Sequence, residues 1–152
     1  MTSEQQELRI PSRITRHASR VHMTIRVAAG VILRDGRYLI TRREAGTHLG
    51  GFWEFPGGKC QTGESLEDCL RRELREELGI EIADPVLFRT IRHDYKEREV
   101  ELHFFRCSIQ QGEARPLGCT DLRWVTPEEL TSYEFPPADQ SLIQLLQQPE
   151  DS

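Results

Sequence analysis

Several features that mark other protein classes are missing from this chain of 152 residues. No apolar run approaches the roughly 20 residues that a membrane-spanning helix needs. The amino-terminal stretch MTSEQQELRIPSR has no apolar segment of the kind that secretory signals contain. We therefore expect a cytoplasmic protein that does not associate with a membrane.

Excess positive charge and a metal-type cysteine pattern are missing as well. Twenty Lys and Arg residues face 25 Asp and Glu residues, which gives a net charge of −5. An acidic domain is a poor general binder of nucleic acid, because phosphate contacts need clustered basic residues. The four cysteines contain no C-x-x-C pair, so in a cytosolic chain we expect free thiols rather than zinc ligands or disulfides.

What is present fits one globular domain, since domains most often run about 100–150 residues. Residues 1–22 carry four Arg and two Glu without sustained periodicity, and we expect a flexible amino-terminal arm there. The domain itself is predicted to span residues 23–148. Its first strands are predicted at Met23–Leu33 and Arg37–Arg42, joined by the turn Arg34-Asp35-Gly36. A Gly-rich loop, Ala45–Gly51, and a short strand, Phe52–Phe55, follow.

The clearest helix is predicted at Ser65–Leu78. Ser65 and Asp68 form a capping-box pattern, and leucines at every fourth position form an apolar stripe. Gly79 is a typical helix stop. Later strands are predicted at Val86–Arg92, Glu99–Ile109 and Leu122–Val125, and a closing helix at Pro137–Gln147. This order predicts an α+β fold, with a mixed sheet sandwiched between helices.

Three acids share one face of the long helix, since Glu73, Glu76 and Glu77 are three and four residues apart. Carboxylates this close repel each other unless a cation lies among them, and hard oxygen ligands favour Mg²⁺ or Mn²⁺. An acid-rich helix is by itself more often a solvated surface. The flanking pattern decides between the two interpretations.

That pattern runs from Gly58 through Glu64 to Arg72-Glu73-Leu74-x-Glu76-Glu77-x-Gly79-Ile80. It resembles the complete Nudix box, G-x5-E-x7-R-E-U-x-E-E-x-G-U, where U is aliphatic. Seven fixed positions make a chance match at one start point of the order of 10⁻⁸ at average residue usage. The resemblance implies the Nudix fold and hydrolysis of a nucleoside diphosphate linked to another group, with divalent cations.

The resemblance also implies roles for individual residues. Glu73, Glu76, Glu77 and the carbonyl of Gly57 would bind the metal, which would be Mg²⁺ or Mn²⁺. Glu64 and Arg72 would support the catalytic site, and Lys59 would face the phosphates. Such an enzyme acts on a small nucleotide as a monomer or homodimer.

Outside the box, the chain resembles the MutT branch, whose members hydrolyse 8-oxo-dGTP. The similar segments are Thr41-Arg42-Arg43, Trp53–Lys59 and Phe135–Asp139. By this resemblance Arg43, Phe55 and Asp139 would bind the nucleotide, with Asp139 at the oxidised base. Two plainer interpretations stay open: Phe55 as an ordinary core residue and Asp139 as a helix cap.

The chain departs from the MutT pattern at two positions. Asp139 stands where bacterial MutT proteins have Asn, and ionised Asp can only accept hydrogen bonds. Relatives that act on cytidine triphosphates also have Asp there. Relatives often have a Glu six residues before the late Trp, but here that position is Gly118, with Asp121 and Glu113 as the nearest acids. The general base is therefore open, with Glu76 or Glu77 as substitutes.

The leading hypothesis is an Mg²⁺-dependent enzyme that converts 8-oxo-dGTP to 8-oxo-dGMP and pyrophosphate. Such an enzyme would clean the nucleotide pool before DNA replication. A CTP or dCTP pyrophosphohydrolase is the second hypothesis. A non-catalytic nucleotide sensor is the third, although such domains usually lose box acids that this chain keeps. Action on nucleic-acid ends through the basic arm is the fourth.

Overall fold

The computed structural model describes residues 23–96 and 98–148. The predicted arm, residues 1–22, lies outside them. The described chain contains seven strands, two α-helices and two 3₁₀ turns. In chain order they are β1 (Met23–Arg34), β2 (Arg37–Arg42), β3 (Trp53–Glu54), β4 (Gly57–Lys59), α1 (Leu66–Leu78), β5 (Glu81–Tyr95), β6 (Arg98–Gln111), β7 (Asp121–Val125), 3₁₀ turns at Glu128–Ser132 and Pro137–Asp139, and α2 (Gln140–Gln147).

The strands form a mixed sheet in the order β3-β2-β1-β6-β5, with β4 also pairing with β1 and β7 with β2. The β1–β6 pair is parallel and the other pairs are antiparallel. Successive side chains of a strand point to opposite faces of a sheet. Neighbouring core residues therefore divide between two apolar clusters, as Ala28 and Ala29 do.

One cluster packs against α1 and the other against α2. Leu70, Leu74 and Leu78 of α1 are completely buried on one face of the sheet. Leu142, Ile143 and Leu146 of α2 are buried on the other face. This confirms the predicted sandwich of a mixed sheet between helices.

Helix α1 has the predicted ends. The Ser65 side chain accepts a hydrogen bond from the Asp68 N–H at 3.1 Å, which satisfies one of the free donors of the first turn. Gly79 ends the helix in the left-handed conformation, at φ 73°. The four-residue leucine spacing gives the buried stripe, so the expected helix is confirmed.

The prediction for the strand after α1 was wrong at its start. Strand β5 begins at Glu81 rather than Val86 and runs to Tyr95. Asp84 (φ 53°) and Pro85 fall where the β5–β6 register shifts, between Ala83 and Val86. Strand β5 lies at the edge of the sheet and can tolerate such an irregularity. Pro has no N–H to donate, and at an edge this does not break the pairing with a further strand.

Two further details differ from the sequence-based predictions. The Gly-rich stretch after Phe55 forms strand β4 instead of ending a strand, because Gly57 has no Cβ to collide with the backbone of Ala28. The closing helix begins with a 3₁₀ turn, Pro137–Asp139, and is α-helical only over Gln140–Gln147. No helix in the described ranges has the length and apolar character needed to cross a membrane.

Candidate active site

Strand β4 and helix α1 lie in direct contact, and this contact brings the box residues together. The Gly57 N–H donates a hydrogen bond to Glu77 Oε1 at 3.1 Å. Gly58 lies against the carboxylate of Glu73, which occupies the space that a Cβ on Gly58 would need. Glycine at this position therefore lets a carboxylate of the helix reach the strand.

Arg72 connects four parts of the box. Its guanidinium donates to Glu64 at 2.7 and 3.0 Å, to Glu73 at 3.0 Å and to Glu76 at 3.2 Å. A fifth hydrogen bond reaches the Lys59 carbonyl oxygen at 3.0 Å. The two-pronged contact lowers the pKa of Glu64 to about 2, with the Gln61 N–H as a second donor. Arg72 and Glu64 thus fix the loop before α1 to the helix.

The remaining acids are poorly neutralised. Burial, and then repulsion from Glu54, raises the pKa of Glu77 to about 8. Burial also raises the pKa of Glu73, against the opposing effect of Arg72, and the pKa of Glu54, against that of Arg43. After burial, repulsion between neighbouring carboxylates adds to these shifts, since Glu73 raises the pKa of both Glu54 and Glu77.

This donor set fits a hard divalent cation in both chemistry and charge. Clustered carboxylate oxygens beside the backbone of Gly57 and Gly58 are the ligands that Mg²⁺ and Mn²⁺ prefer. Within residues 23–96 and 98–148, no three acidic, His or Cys side chains already converge on one point. Arg72 instead engages the carboxylates of Glu73 and Glu76.

A cavity of about 180 Å³ borders this acidic cluster. Gly57, Gly58 and Lys59 line it on the side of the box. Its opposite lining includes Phe55, Phe104 and Asp139, from the α2 side of the sheet. The structure therefore brings Arg43, Phe55, Lys59 and Asp139 to one cavity, next to the box acids.

Asp139 is the most unusual group in the cavity. Its residue surface is only 6% exposed, and no hydrogen bond from its side chain to other described residues is present. Asp139 occupies the N-cap position of α2, but its side chain makes no capping hydrogen bond, so a helix cap does not account for the carboxyl. Burial, followed by repulsion from Glu54, raises its pKa to about 7. A buried carboxyl without a protein partner is suited to a ligand that can bond with it.

Phe55 and Arg43 are both held firmly. Phe55 is buried, with its ring 5.4 Å from that of Phe135 and 6.1 Å from that of Phe104, so it is a core residue that also lines the cavity. Arg43 donates to Glu54 at 3.1 Å and to the His48 carbonyl oxygen at 2.8 Å.

Four polar lining residues were missed in the sequence: His48, Glu54, Tyr95 and Arg98. The rings of His48 and Tyr95 meet edge to face at 5.4 Å, although they lie 47 positions apart in the chain. Glu54 could have been noticed, because a buried acid in the W-E-F-P-G-G segment needs a partner. No local signal relates Tyr95 or Arg98 to the cavity.

The structure also shows what surrounds the position without an acid. The Gly118 N–H donates to the Glu77 carbonyl oxygen at 3.0 Å, so this position adjoins α1 but has no carboxylate. Asp121 pairs with Arg123 at 2.9 Å and Glu113 pairs with Arg34 at 3.5 Å. Both alternative acids are therefore engaged by arginines outside the box.

Comparisons with known proteins agree with this arrangement. The NUDIX domain family matches residues 28–145. An 8-oxo-dGTP diphosphatase of Proteus vulgaris is 44% identical over 82 residues, covering 53% of this chain and 73% of the relative. A CTP pyrophosphohydrolase of Escherichia coli is 37% identical over 120 residues, covering 79% and 89%.

Among solved structures, a MutT protein from work on Aliivibrio salmonicida and Vibrio cholerae is 30% identical. It superimposes with a TM-score of 0.68, covering 81% of this chain and 95% of that one. Nudix hydrolases use divalent cations to act on small nucleotides. Box, fold and relatives agree, and the chain belongs to the NUDIX family as a Nudix pyrophosphohydrolase.

Proposed function

We propose that this Nudix hydrolase converts 8-oxo-dGTP to 8-oxo-dGMP and pyrophosphate, with Mg²⁺ as its cation, in the cytoplasm. The observation that carries the proposal is the buried, unpartnered carboxyl of Asp139, in a cavity that borders the box acids. Removal of oxidised nucleotides before DNA replication would be the cellular role.

The proton of Asp139 decides which hydrogen bonds this residue can make with the oxidised base. The lactam edge of 8-oxoguanine presents ring N–H donors and a carbonyl acceptor. An ionised carboxylate accepts from the donors only, whereas a protonated carboxyl also donates to the carbonyl. Because burial raises the pKa of Asp139 to about 7, the protonated form is available near neutral pH. Phe55 would contact the base and Arg43 the nucleotide.

The box acids would hold the cation. We assign this role to Glu73, Glu76, Glu77 and the Gly57 carbonyl oxygen. A bound Mg²⁺ would neutralise phosphate charge and stabilise the leaving oxygen. Arg72 and Glu64 would position the carboxylates through the hydrogen bonds described above, and Lys59, on the cavity wall, would contact the phosphates.

The proton of the attacking water needs an acceptor within the box, because Gly118 supplies no acid. We assign this acceptor to Glu76 or Glu77. Glu76 has the more exposed side chain, at 61%, and one contact with Arg72. Glu77 is buried, and burial raises its pKa to about 8. The variants Glu76→Gln and Glu77→Gln distinguish the two candidates. Loss of the general base should shift the acidic limb of the plot of kcat against pH.

A CTP or dCTP pyrophosphohydrolase is the second candidate function. Two observations favour it: Asp at position 139 and the 37% identity to a CTP pyrophosphohydrolase over 120 residues. The amino group of cytosine could donate a hydrogen bond to an ionised Asp139. An ionised Asp139 is therefore sufficient for the amino group of cytosine, whereas a hydrogen bond to the carbonyl of 8-oxoguanine needs the protonated form.

The first test measures pyrophosphate release from 8-oxo-dGTP, dGTP, CTP and dCTP with Mg²⁺. The proposal predicts a kcat/KM for 8-oxo-dGTP at least tenfold above that for dGTP, which is about 1.4 kcal/mol of discrimination. A preference for CTP or dCTP would keep the reaction and replace the base assignment. Absence of turnover with all four would contradict both.

A second test compares the wild type with Asp139→Asn through the ratio of their kcat/KM values for 8-oxo-dGTP as a function of pH. Because both proteins use the same substrate and cation, this ratio cancels effects of pH on the cation and on phosphate chemistry. We expect the wild-type value to fall relative to that of Asp139→Asn as pH rises through about 7, because Asp139 loses the proton that it donates to the carbonyl of the base, whereas an amide donates and accepts at any pH. A ratio that does not change with pH would contradict the assignment.

A further inference from the structure

Two of the four cysteines meet where β4 joins α1, outside the roles assigned above. Cys69 is completely buried in α1, and its thiol lies 3.7 Å from the Gly58 carbonyl oxygen. Cys60 directly follows β4 and is partly exposed. Its N–H donates to the Arg26 carbonyl oxygen at 2.8 Å, so the backbone at Cys60 continues the pairing of β4 with β1.

The register of strand and helix places the two side chains opposite each other. Gly58 faces α1, because a Cβ there would collide with the Glu73 carboxylate. Cys60 lies two residues further along the strand direction and so faces the same way, an advance of about 6.6 Å. Cys69 lies one helical turn before Glu73, a step of about 6 Å. The step from Gly58 to Cys60 along the strand and the step from Glu73 back to Cys69 along the helix have nearly the same length. Since Gly58 lies opposite Glu73, Cys60 lies opposite Cys69.

The chemistry of the thiols agrees with this contact. Burial raises the pKa of the Cys69 thiol, and a hydrogen bond with Cys60 raises it further. Both cysteines also pack in the apolar cluster on the α1 side of the sheet. The other two cysteines have different neighbours: Cys107 lies close to Gly30, and the charge of Glu77 acts on Cys119.

We propose that Cys60 and Cys69 are a redox modification site, which forms a reversible disulfide when the protein meets hydrogen peroxide. Cys60 is partly exposed and reacts first: its sulfur bonds to one peroxide oxygen, the O–O bond breaks and water leaves. The sulfur of Cys69 then bonds to the sulfur of Cys60, the S–O bond breaks and a second water leaves. The two sulfurs lose two electrons in total, and the peroxide gains two. A dithiol reductant reverses the reaction by exchange.

The sequence provides a direct way to detect the bridge. Trypsin cuts after Lys59 and Arg71, so Cys60 and Cys69 lie in one peptide, residues 60–71. The reduced full-length protein is treated with hydrogen peroxide, free thiols are blocked with N-ethylmaleimide in denaturant because Cys69 is completely buried in the folded protein, and the digest is analysed by mass spectrometry. We expect most of this peptide to carry neither label and to have the mass of the dithiol peptide minus two hydrogens. Dithiothreitol added before the label should restore both labels.

Cleavage after Glu64 and Glu67 then separates the two cysteines unless a bond joins them. In the oxidised sample the Cys60 and Cys69 fragments should remain linked. Recovery of separate fragments, both labelled, after peroxide treatment would overturn the proposal. A bridge from Cys60 to Cys107, to Cys119 or to a second copy of the chain would overturn it as well.

Variants provide the matched controls. Cys60→Ser should leave Cys69 labelled after peroxide treatment, because the buried thiol loses the partner that reacts first. Cys107→Ser and Cys119→Ser should leave bridge formation unchanged. Cys69→Ala tests the same bond from the buried side, and its melting temperature shows whether it folds. Mass is the readout, so the result is independent of which nucleotide the enzyme hydrolyses.

Discussion

One guanidinium, that of Arg72, organises most of the acidic box. It makes a two-pronged contact with Glu64, single contacts with Glu73 and Glu76, and a hydrogen bond to the backbone of Lys59. Its side chain is 20% exposed, so these contacts are shielded from water better than those of a surface ion pair. A planar fork can serve several acceptors at once, which a lysine ammonium cannot do with the same geometry.

Arg72→Lys should therefore lower kcat by about 10- to 100-fold, the usual effect of losing a group that orients metal ligands. The positive charge remains, so the loss would come from geometry. Arg75→Lys is the matched control on the same helix. Arg75 pairs with Glu81 at 2.7 Å on the surface, and its replacement should leave kcat unchanged. Equal effects of the two variants would contradict the orienting role of Arg72.

At this scale the sequence predicts the box well and the cavity only in part. Glu64, Arg72, Glu73 and Glu77 lie within one loop and one helix, so fixed spacing along the chain fixes their relation in space. His48 and Tyr95 come from a loop and from the end of a long strand. Their contact depends on how the whole sheet folds, which no local pattern encodes.

At the scale of elements, the contact between β4 and α1 sets the shape of the site. The sequence predicts α1 correctly, because cap, stripe and stop all agree. It does not predict β4, because consecutive glycines usually indicate a turn. The glycines form a strand here because a side chain at either position would collide with β1 or with Glu73.

Gly58→Ala should lower turnover strongly while leaving the protein folded. Its Cβ would displace the Glu73 carboxylate, and a misplacement of about 1 Å can cost about 100-fold in rate. Gly36→Ala is the control for the cost of removing a glycine. It lies in the β1–β2 turn at φ 75°, with open space around it. We expect it to lower the melting temperature without changing kcat.

Turnover close to that of the wild type in Gly58→Ala would contradict the prediction. It would mean that the Glu73 carboxylate can move without a loss of activity. Circular dichroism on both variants would show that the fold is retained, so that the comparison concerns the site alone.

At the scale of the whole molecule, several buried acids make stability depend on pH. The pKa of Asp139 is raised from 3.8 to about 7 and that of Glu77 from 4.5 to about 8. Between these values the folded state binds more protons than the unfolded state, so the free energy of unfolding falls as pH rises. The stabilising effect of the bound protons is complete below about pH 4 and is lost by about pH 8.

The cation-free protein should accordingly melt at progressively lower temperature as pH rises through this window. Added Mg²⁺ should raise the melting temperature most at the upper end, where the acids are ionised and bind it best. Scanning fluorimetry with a chelator, and then with Mg²⁺, measures both effects. Asp139→Asn should weaken the pH dependence of the melting temperature of the cation-free protein. A melting temperature independent of pH between about 4 and 8 would contradict the assigned protonation states.

The sheet separates two groups of proposed site residues. Glu73 and Glu77 lie on the helix that covers one face of the sheet, whereas Phe55 and Asp139 belong to the layer on the other face, and the two sets meet at β4. Under the proposed assignment, substitutions in the α2 layer would reshape the surroundings of the base while the acids proposed to bind the cation stay in place. Laboratory evolution confined to that layer should yield enzymes for new nucleobases that still release pyrophosphate.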